Sequence, residues 1–188
     1  MSNNTPTDIS LTKFVWTKLL GSNSSTFGQD LTIGSDGSIY ITGFTTSNLD
    51  GETNNGDGDA FLSKFNPDGT QDWTRLLGSS RREYASASIT GLDGSIYIAG
   101  YTKGDLDGQS QYGGYDAFLS KFNPDGTKGW TRVFGTSREE VGVDLTVGID
   151  GSIYFAGNTK GNLDSQTNNG NNDAFLSKFN PDGTKEWT

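Results

Sequence analysis

The chain has 188 residues, a formal net charge of −9 and neither His nor Cys. That excludes Ser-His-Asp and Cys-His catalysis, imidazole bases, disulfides, and zinc or haem sites of the usual ligand types. The acidic balance also excludes the basic footprint of a nucleic-acid binder, and no run of about 18 apolar residues is present to span a membrane. Along the chain, residues 1–10 are polar and lack the apolar stretch of a signal peptide. Trp16, Trp73, Trp130 and Trp187 then stand 57 residues apart, and the three units between them align without a gap. A fixed period of this size marks stacked supersecondary units.

The N-terminal arm, residues 1–20, repeats part of a unit. Residues 8–14 (DISLTKF) match residues 59–65 (DAFLSKF), and residues 14–20 read as a lone outer strand. Three units follow, at residues 21–78, 79–135 and 136–188. The middle one shows the plan. Residues 87–90 form a short strand, 91–94 a turn, and 95–101 a β-branched and aromatic strand suited to burial on both faces. A polar loop runs over 103–115 and a third strand over 116–122. Asn123-Pro124-Asp125-Gly126 is a turn in which Pro presets φ and Gly takes the left-handed position. The fourth strand covers 130–134. The third unit stops just inside its own fourth strand, at Trp187-Thr188.

Four short strands per unit with hairpin turns, and no helical periodicity, specify an all-β chain. The fold expected is a β-propeller of 57-residue, four-stranded antiparallel blades: three complete blades plus an N-terminal strand. A β-solenoid is the alternative, but its coils are shorter and lack such turns. A ring of fewer than about four blades does not close by itself, so self-association or continuation into further blades is expected. The tight turns share one rim. The opposite rim carries long loops that differ between copies, the usual layout of a binding surface.

The segments Gly-Ser-Ile-Tyr-Ile-x-Gly, Asp-Ala-Phe-Leu-Ser-Lys-Phe-Asn-Pro-Asp-Gly-Thr and Trp-Thr-Arg-Leu-Leu-Gly together resemble the bacterial β-propeller repeat called SBBP, over residues 16–188. Similar repeats occur in large surface or secreted cyanobacterial proteins, sometimes beside calcium-binding repeats. The resemblance implies a propeller and often an extracellular or cell-surface setting. It implies no shared enzymatic activity and transfers no catalytic residue.

Calcium is the candidate cofactor. It takes six to eight oxygens, and Gly permits a tight wrap. The first long loop offers Asp50, Asn55, Asp57 and Asp59; the third offers Asp164, Asn169, Asn171 and Asp173; the second offers only Asp107 and Asp116. The competing reading is loop capping, because Asp and Asn bond to nearby backbone and these Asp positions recur in equivalent places. The candidate ligand contacts are Arg81, Arg82, Tyr84, Tyr112 and Tyr115, on the variable rim. The repeated Trp, Tyr40, Phe61 and Phe65 could line a sugar site but read better as inter-blade packing. Asp30 and Asp144, replaced by Ala87 in the second copy, are a thin basis for glycoside hydrolysis. The expected function is a non-catalytic scaffold that binds a protein or glycan. The alternatives are a calcium-stabilised secreted module and a carboxylate-based glycan hydrolase or lyase.

Overall fold

The computed structural model describes residues 16–188, which form twelve strands and no helix. Blade 1 contains β1 (Thr26–Ile33), β2 (Ile39–Thr45), β3 (Asp59–Phe65) and β4 (Gln71–Leu77). Blade 2 contains β5 (Glu83–Thr90), β6 (Ile96–Thr102), β7 (Asp116–Phe122) and β8 (Lys128–Phe134). Blade 3 contains β9 (Glu140–Val147), β10 (Ile153–Thr159), β11 (Asp173–Phe179) and β12 (Lys185–Trp187). Each blade is an antiparallel meander whose strands pair in sequence order. The fold is therefore the all-β propeller architecture expected from the repeat.

The first strand of each blade starts earlier than the sequence suggests. Glu83 to Ser86, expected in the rim loop, belongs to β5. The reason is a β-bulge. Register slips between Gly28 and Asp30, between Ala85 and Ala87, and opposite Ala156 and Gly157. One extra residue per strand breaks the period-2 alternation by which a strand is recognised. The outer strand also starts earlier, at Lys128 in blade 2. Residues 16–20, expected as the end of a lone outer strand, have no strand pairing, and the start of that segment lies outside the described residues.

A single four-stranded sheet has two apolar faces and cannot bury both alone, so the core lies between blades. Tyr40, Leu62 and Leu77 of blade 1 meet Ile96, Ile98, Phe118 and Phe122 of blade 2. Tyr97, Leu119 and Phe134 of blade 2 meet Leu145, Ile153, Phe155 and Phe179 of blade 3. The tryptophans fasten the outer edge. Trp73 covers Gly126 and Trp130 covers Gly183, so a Cβ on either glycine would lie 2.9 Å or 2.8 Å from the indole. Trp16 occupies the equivalent place over Gly69 and donates from Nε1 to the Pro67 carbonyl at 3.3 Å. Arg75 and Arg132 repeat the same stitch, donating from Nε to the carbonyls of Gly126 at 3.1 Å and Gly183 at 2.9 Å. The tryptophans therefore pack blade on blade.

The turns follow the residues that make them. In Asn66-Pro67-Asp68-Gly69 the Gly69 amide donates to Asn66 and Gly69 sits at φ 82°. At the tips of the long loops, Asp50-Gly51 and Asp107-Gly108 place both residues at positive φ, as a two-residue reversal of the I′ kind requires. Blade 3 has Asp164-Ser165, with Ser165 held at φ 67°. A left-handed residue with a Cβ costs about 1–2 kcal/mol, offset in part by the entropy Gly loses on folding. Ser165→Gly is expected to stabilise the fold by about 0.5–1 kcal/mol, read as a higher urea midpoint at unchanged m.

Candidate functional site: the loop rim

The loops that enter each blade are threaded between their neighbours. The Asp57 amide donates to Arg81 O, the Glu83 amide to Gly58 O, and the Lys103 amide to Arg82 O. The next junction repeats this with Glu140 to Tyr115 O and Lys160 to Glu139 O. Gly56 and Gly113 make the close approach feasible, because a side chain on either would run into backbone atoms of the crossing loop, at residues 79–81 or 136–138. Gly170, which no further blade crosses, meets only Asp173 Oδ1, at 3.9 Å. The Asn-Asn-Gly pattern thus has an architectural role.

The candidate calcium residues divide among separate tasks. Asp50 accepts from Thr74 Oγ1 at 2.7 Å and from Gln71 Nε2. Its counterparts Asp107 and Asp164 pair with Lys128 and Lys185. Burial opposes ionisation of Asp164, but Lys185 prevails and holds its carboxyl below the usual range. Asp59 accepts from the Asn55 amide at 3.0 Å, and Asp173 from the Asn169 amide at 2.8 Å. Asn169 Nδ2 donates to the Thr167 carbonyl. Asp57 and Asn171 are exposed. Among the described residues no three acidic side chains converge as a metal group.

Asp59 and Asp116 carry a feature that the sequence did not announce. Both are fully buried at blade junctions, and each leaves Oδ1 without a hydrogen-bond partner. The carboxylate facing Asp59 is Glu83, and the one facing Asp116 is Glu140; these too are fully buried. Glu83 accepts from the Ser79 amide at 2.6 Å, Ser79 Oγ at 2.7 Å and Thr102 Oγ1 at 2.7 Å. Glu140 repeats this with Thr136 and Thr159. Burial pushes Asp59 up to about 6, with Glu83 adding to it and the Asn55 amide opposing. Burial likewise raises Asp116, against the Tyr112 and Gly113 amides. Asp173 at the open end of blade 3 is only half-buried.

The candidate ligand contacts lie together on the rim. Arg81, Arg82 and Tyr112 are exposed, but Tyr84 and Tyr115 are half-buried members of a row of rings. Phe27 stacks on Phe44 at 5.0 Å, Phe44 meets Tyr84 at 4.9 Å, Tyr84 stacks on Tyr101 at 5.3 Å, and Tyr101 meets the edge of Tyr115 at 4.8 Å. Lys103 Nζ caps the row, 4.5 Å over the Tyr115 ring. Phe27, Phe44, Tyr101 and Lys103 were missed from sequence. The available signal was departure from the repeat: blade 3 has Val141, Asn158 and Asn172 where blade 2 has Tyr84, Tyr101 and Tyr115. Arg81 and Arg82 likewise stand where blade 1 has Ser24 and Ser25.

The two family models that match agree with the architecture. Residues 15–50 match the family described as Beta-propeller repeat (SBBP). Residues 34–74 and 150–186 match a domain of unknown function described as a beta-propeller, DUF5122. Regulatory protein FlaEY of Caulobacter vibrioides is 30% identical over an alignment covering 80% of this chain and 18% of the relative, so the chain spans less than a fifth of that protein's length. A crystal structure of a protein of unknown function from Bacteroides caccae superposes with a TM-score of 0.49 at 10% identity, covering 91% of this chain and 47% of that one. With its 57-residue four-stranded blades, the chain has the β-propeller fold, and its residues 15–50 are similar to the SBBP repeat.

Proposed function

We infer that this chain is a non-catalytic propeller module, part of a surface or secreted protein, whose loop rim binds a protein partner. The observation that supports this most is the row of rings together with Arg82, at positions where other blades carry different residues. Blade 3 closes on blade 2 with Val141, Asn158 and Asn172, so Tyr84, Tyr101 and Tyr115 are not required to build a blade. The close carboxylate pairs do not favour hydrolysis. Asp59 with Glu83, and Asp116 with Glu140, are sealed from solvent, and Asp30 is engaged by the Ser88 amide at 2.6 Å.

The test is a variant that carries other blades' residues on the rim: Arg81→Ser, Arg82→Ser, Tyr84→Val, Tyr112→Asn and Tyr115→Asn. It should retain its circular dichroism spectrum and lose its partner in cells, measured by co-purification of the tagged natural protein. Retained partner binding would reject the rim reading. A chelator-sensitive melting temperature would instead favour the calcium-stabilised alternative.

The same reading includes association at the ends. Trp187 is 44% exposed and Leu176 48% exposed, whereas their counterparts Trp130 and Leu119 are covered by the next blade. On the opposite face, Leu31 is 60% and Ile33 61% exposed. Sedimentation should therefore show the 188-residue polypeptide self-associating, and Leu31→Glu should reduce its mass to that of one chain.

A further inference from the structure

We propose that residues 16–20 serve as the outer strand of blade 3 in a second copy of the chain, so that two copies exchange these strands and close one six-bladed ring. This rests on the end-association reading and specifies its geometry. The first support is a strand without an edge and an edge without a strand. Residues 16–20 pair with no strand, yet Trp16-Thr17-Lys18-Leu19-Leu20 differs from Trp73-Thr74-Arg75-Leu76-Leu77 of β4 only by Lys for Arg. Trp16 lies over Gly69 as Trp73 lies over Gly126, so the segment sits where the outer strand of a preceding blade belongs. The edge is that of β11. β4 pairs with β3 from Ala60 to Phe65 and β8 with β7 from Ala117 to Phe122, but β12 pairs with β11 only at Lys178 and Phe179. The β11 backbone from Ala174 to Leu176 is thus an open ladder that an added strand satisfies. In the register of the other two blades, Thr17 lies opposite Ser177 and Leu20 opposite Ala174. Trp16 and Trp187 claim the same place over Gly69, so the exchange displaces β12, whose three residues are all exposed.

The second support is the match between the two open faces. Leu176 is the counterpart of Leu62 and Leu119, which are fully buried against the following blade. Blade 1 keeps an apolar hollow of about 300 Å³ lined by Leu20, Leu31, Ile39, Ile41, Phe61 and Phe65. The counterparts of the last four are Ile96, Ile98, Phe118 and Phe122, the residues that receive Leu62. The internal junctions therefore show which faces join: blade 3 of one copy and blade 1 of the other, head to tail. Charge favours the same junction. Inside the chain Asp59 faces Glu83 and Asp116 faces Glu140. At the equivalent position blade 1 has Thr26, whose hydroxyl bonds to those of Ser22 and Thr45. Asp173 thus meets a hydroxyl of the second copy instead of another carboxylate. Closed propellers typically have about four to eight blades. Of the multiples of three only six falls in that range, so two copies with two equal junctions complete the ring.

The chain has no Cys, which permits a disulfide test. Thr17→Cys and Ser177→Cys are placed in separate 188-residue polypeptides, mixed, allowed to exchange and oxidised. Their counterparts inside the chain have adjoining hydroxyls, Ser63 with Thr74 at 2.7 Å and Ser120 with Thr131 at 2.9 Å. The mixture should give a disulfide-linked pair, and neither variant alone should. Sedimentation equilibrium of the unsubstituted polypeptide should give the mass of two chains and no more as concentration rises. Trp16→Ser should weaken association by tenfold or more. Trp187→Ser, which removes the competitor, should not weaken it, with circular dichroism verifying the fold of both. A mass of two chains without the mixed disulfide would overturn the strand exchange and leave the association of ends standing. So would association lost in Trp187→Ser and kept in Trp16→Ser. A mass that climbs past two chains with concentration would overturn the closed ring. A single chain at every concentration would overturn the end association itself and the proposal with it.

Discussion

Raising the pH from 4.5 to 7.5 is expected to destabilise the fold, and Asp59→Asn is expected to remove much of that loss. Asp59 lies fully buried, facing Glu83, which arrives from the next blade already holding three donors. Burial disfavours its ionised form, and the neighbouring Glu83 adds to this, so the folded chain favours a neutral Asp59, with its value raised from 3.8 to about 6. The folded state then binds more protons than the unfolded state between those values. Stability contributed by the neutral acid is present below the unfolded value and is lost as pH rises through about 6. For Asp59 the loss amounts to about 2–3 kcal/mol, or roughly 5–10 °C in melting temperature for a chain of this size. Asp116 with Glu140 adds a loss of the same sign. Self-repulsion of an acidic chain acts in the same direction, but 0.5 M salt screens it and hardly touches a buried pair. Asparagine has the size of the neutral carboxyl and carries no charge at any pH. Urea midpoints across pH, at high salt, should therefore fall toward neutrality in the wild type and fall less steeply in Asp59→Asn, where the Asp116 contribution remains. An undiminished slope in the variant would remove Asp59 as its origin. Below about pH 4 the trend reverses, since the turn carboxylates Asp36, Asp68, Asp125, Asp150 and Asp182 are held below their ordinary value by hydrogen bonds from the Ser or Thr two residues on.

The sequence disclosed whatever is local and repeated. The 57-residue period, the Asn-Pro-Asp-Gly turns and the third strands at residues 59–65 and 116–122 are specified by neighbours in the chain, and the structure has them. The relations it concealed join positions whose proximity only the stacking creates. Asp59 and Glu83 are unremarkable until one blade sets a third strand beside the next blade's first. Phe44 and Tyr84 likewise become neighbours only across a junction. The long loop was ambiguous for a different reason. Asn, Gly and Asp wrap a cation and cap a turn with the same backbone conformations, so their order alone cannot separate the two. At Asn54 the capping role is visible, since its Oδ1 accepts from Gly56 and its Nδ2 donates to Thr45 O. For the rim, divergence between copies was the usable signal, and it identified Tyr84 and Tyr115 without the rings that join them.

Gly100→Ala is expected to cost about 3 kcal/mol, although it adds one methyl group on a strand at ordinary backbone angles. Gly100 ends the Gly-Ser-Ile-Tyr-Ile-x-Gly segment and lies opposite Ala85 at the β5 bulge. The extra residue, Ser86, pushes the β5 backbone toward β6, so a Cβ on Gly100 would overlap the Tyr84 carbonyl oxygen and come within 3.0 Å of Ala85 Cα. A side chain could rotate away; a paired backbone carbonyl cannot, and inserting volume where neighbours are fixed typically costs 1–3 kcal/mol or more. Gly43 faces the Phe27 carbonyl in the same way, so Gly43→Ala should behave alike. Gly100→Ala tests more than stability, because relief of the overlap moves Tyr84, which stacks on Tyr101 and meets Phe44. Near-ultraviolet circular dichroism, which reports coupled aromatic rings, should change with the urea midpoint. A tolerated alanine, with both signals intact, would mean that the bulge does not hold the two strands as close as the geometry requires, and the glycine would then have to be explained by something other than the crowding between β5 and β6.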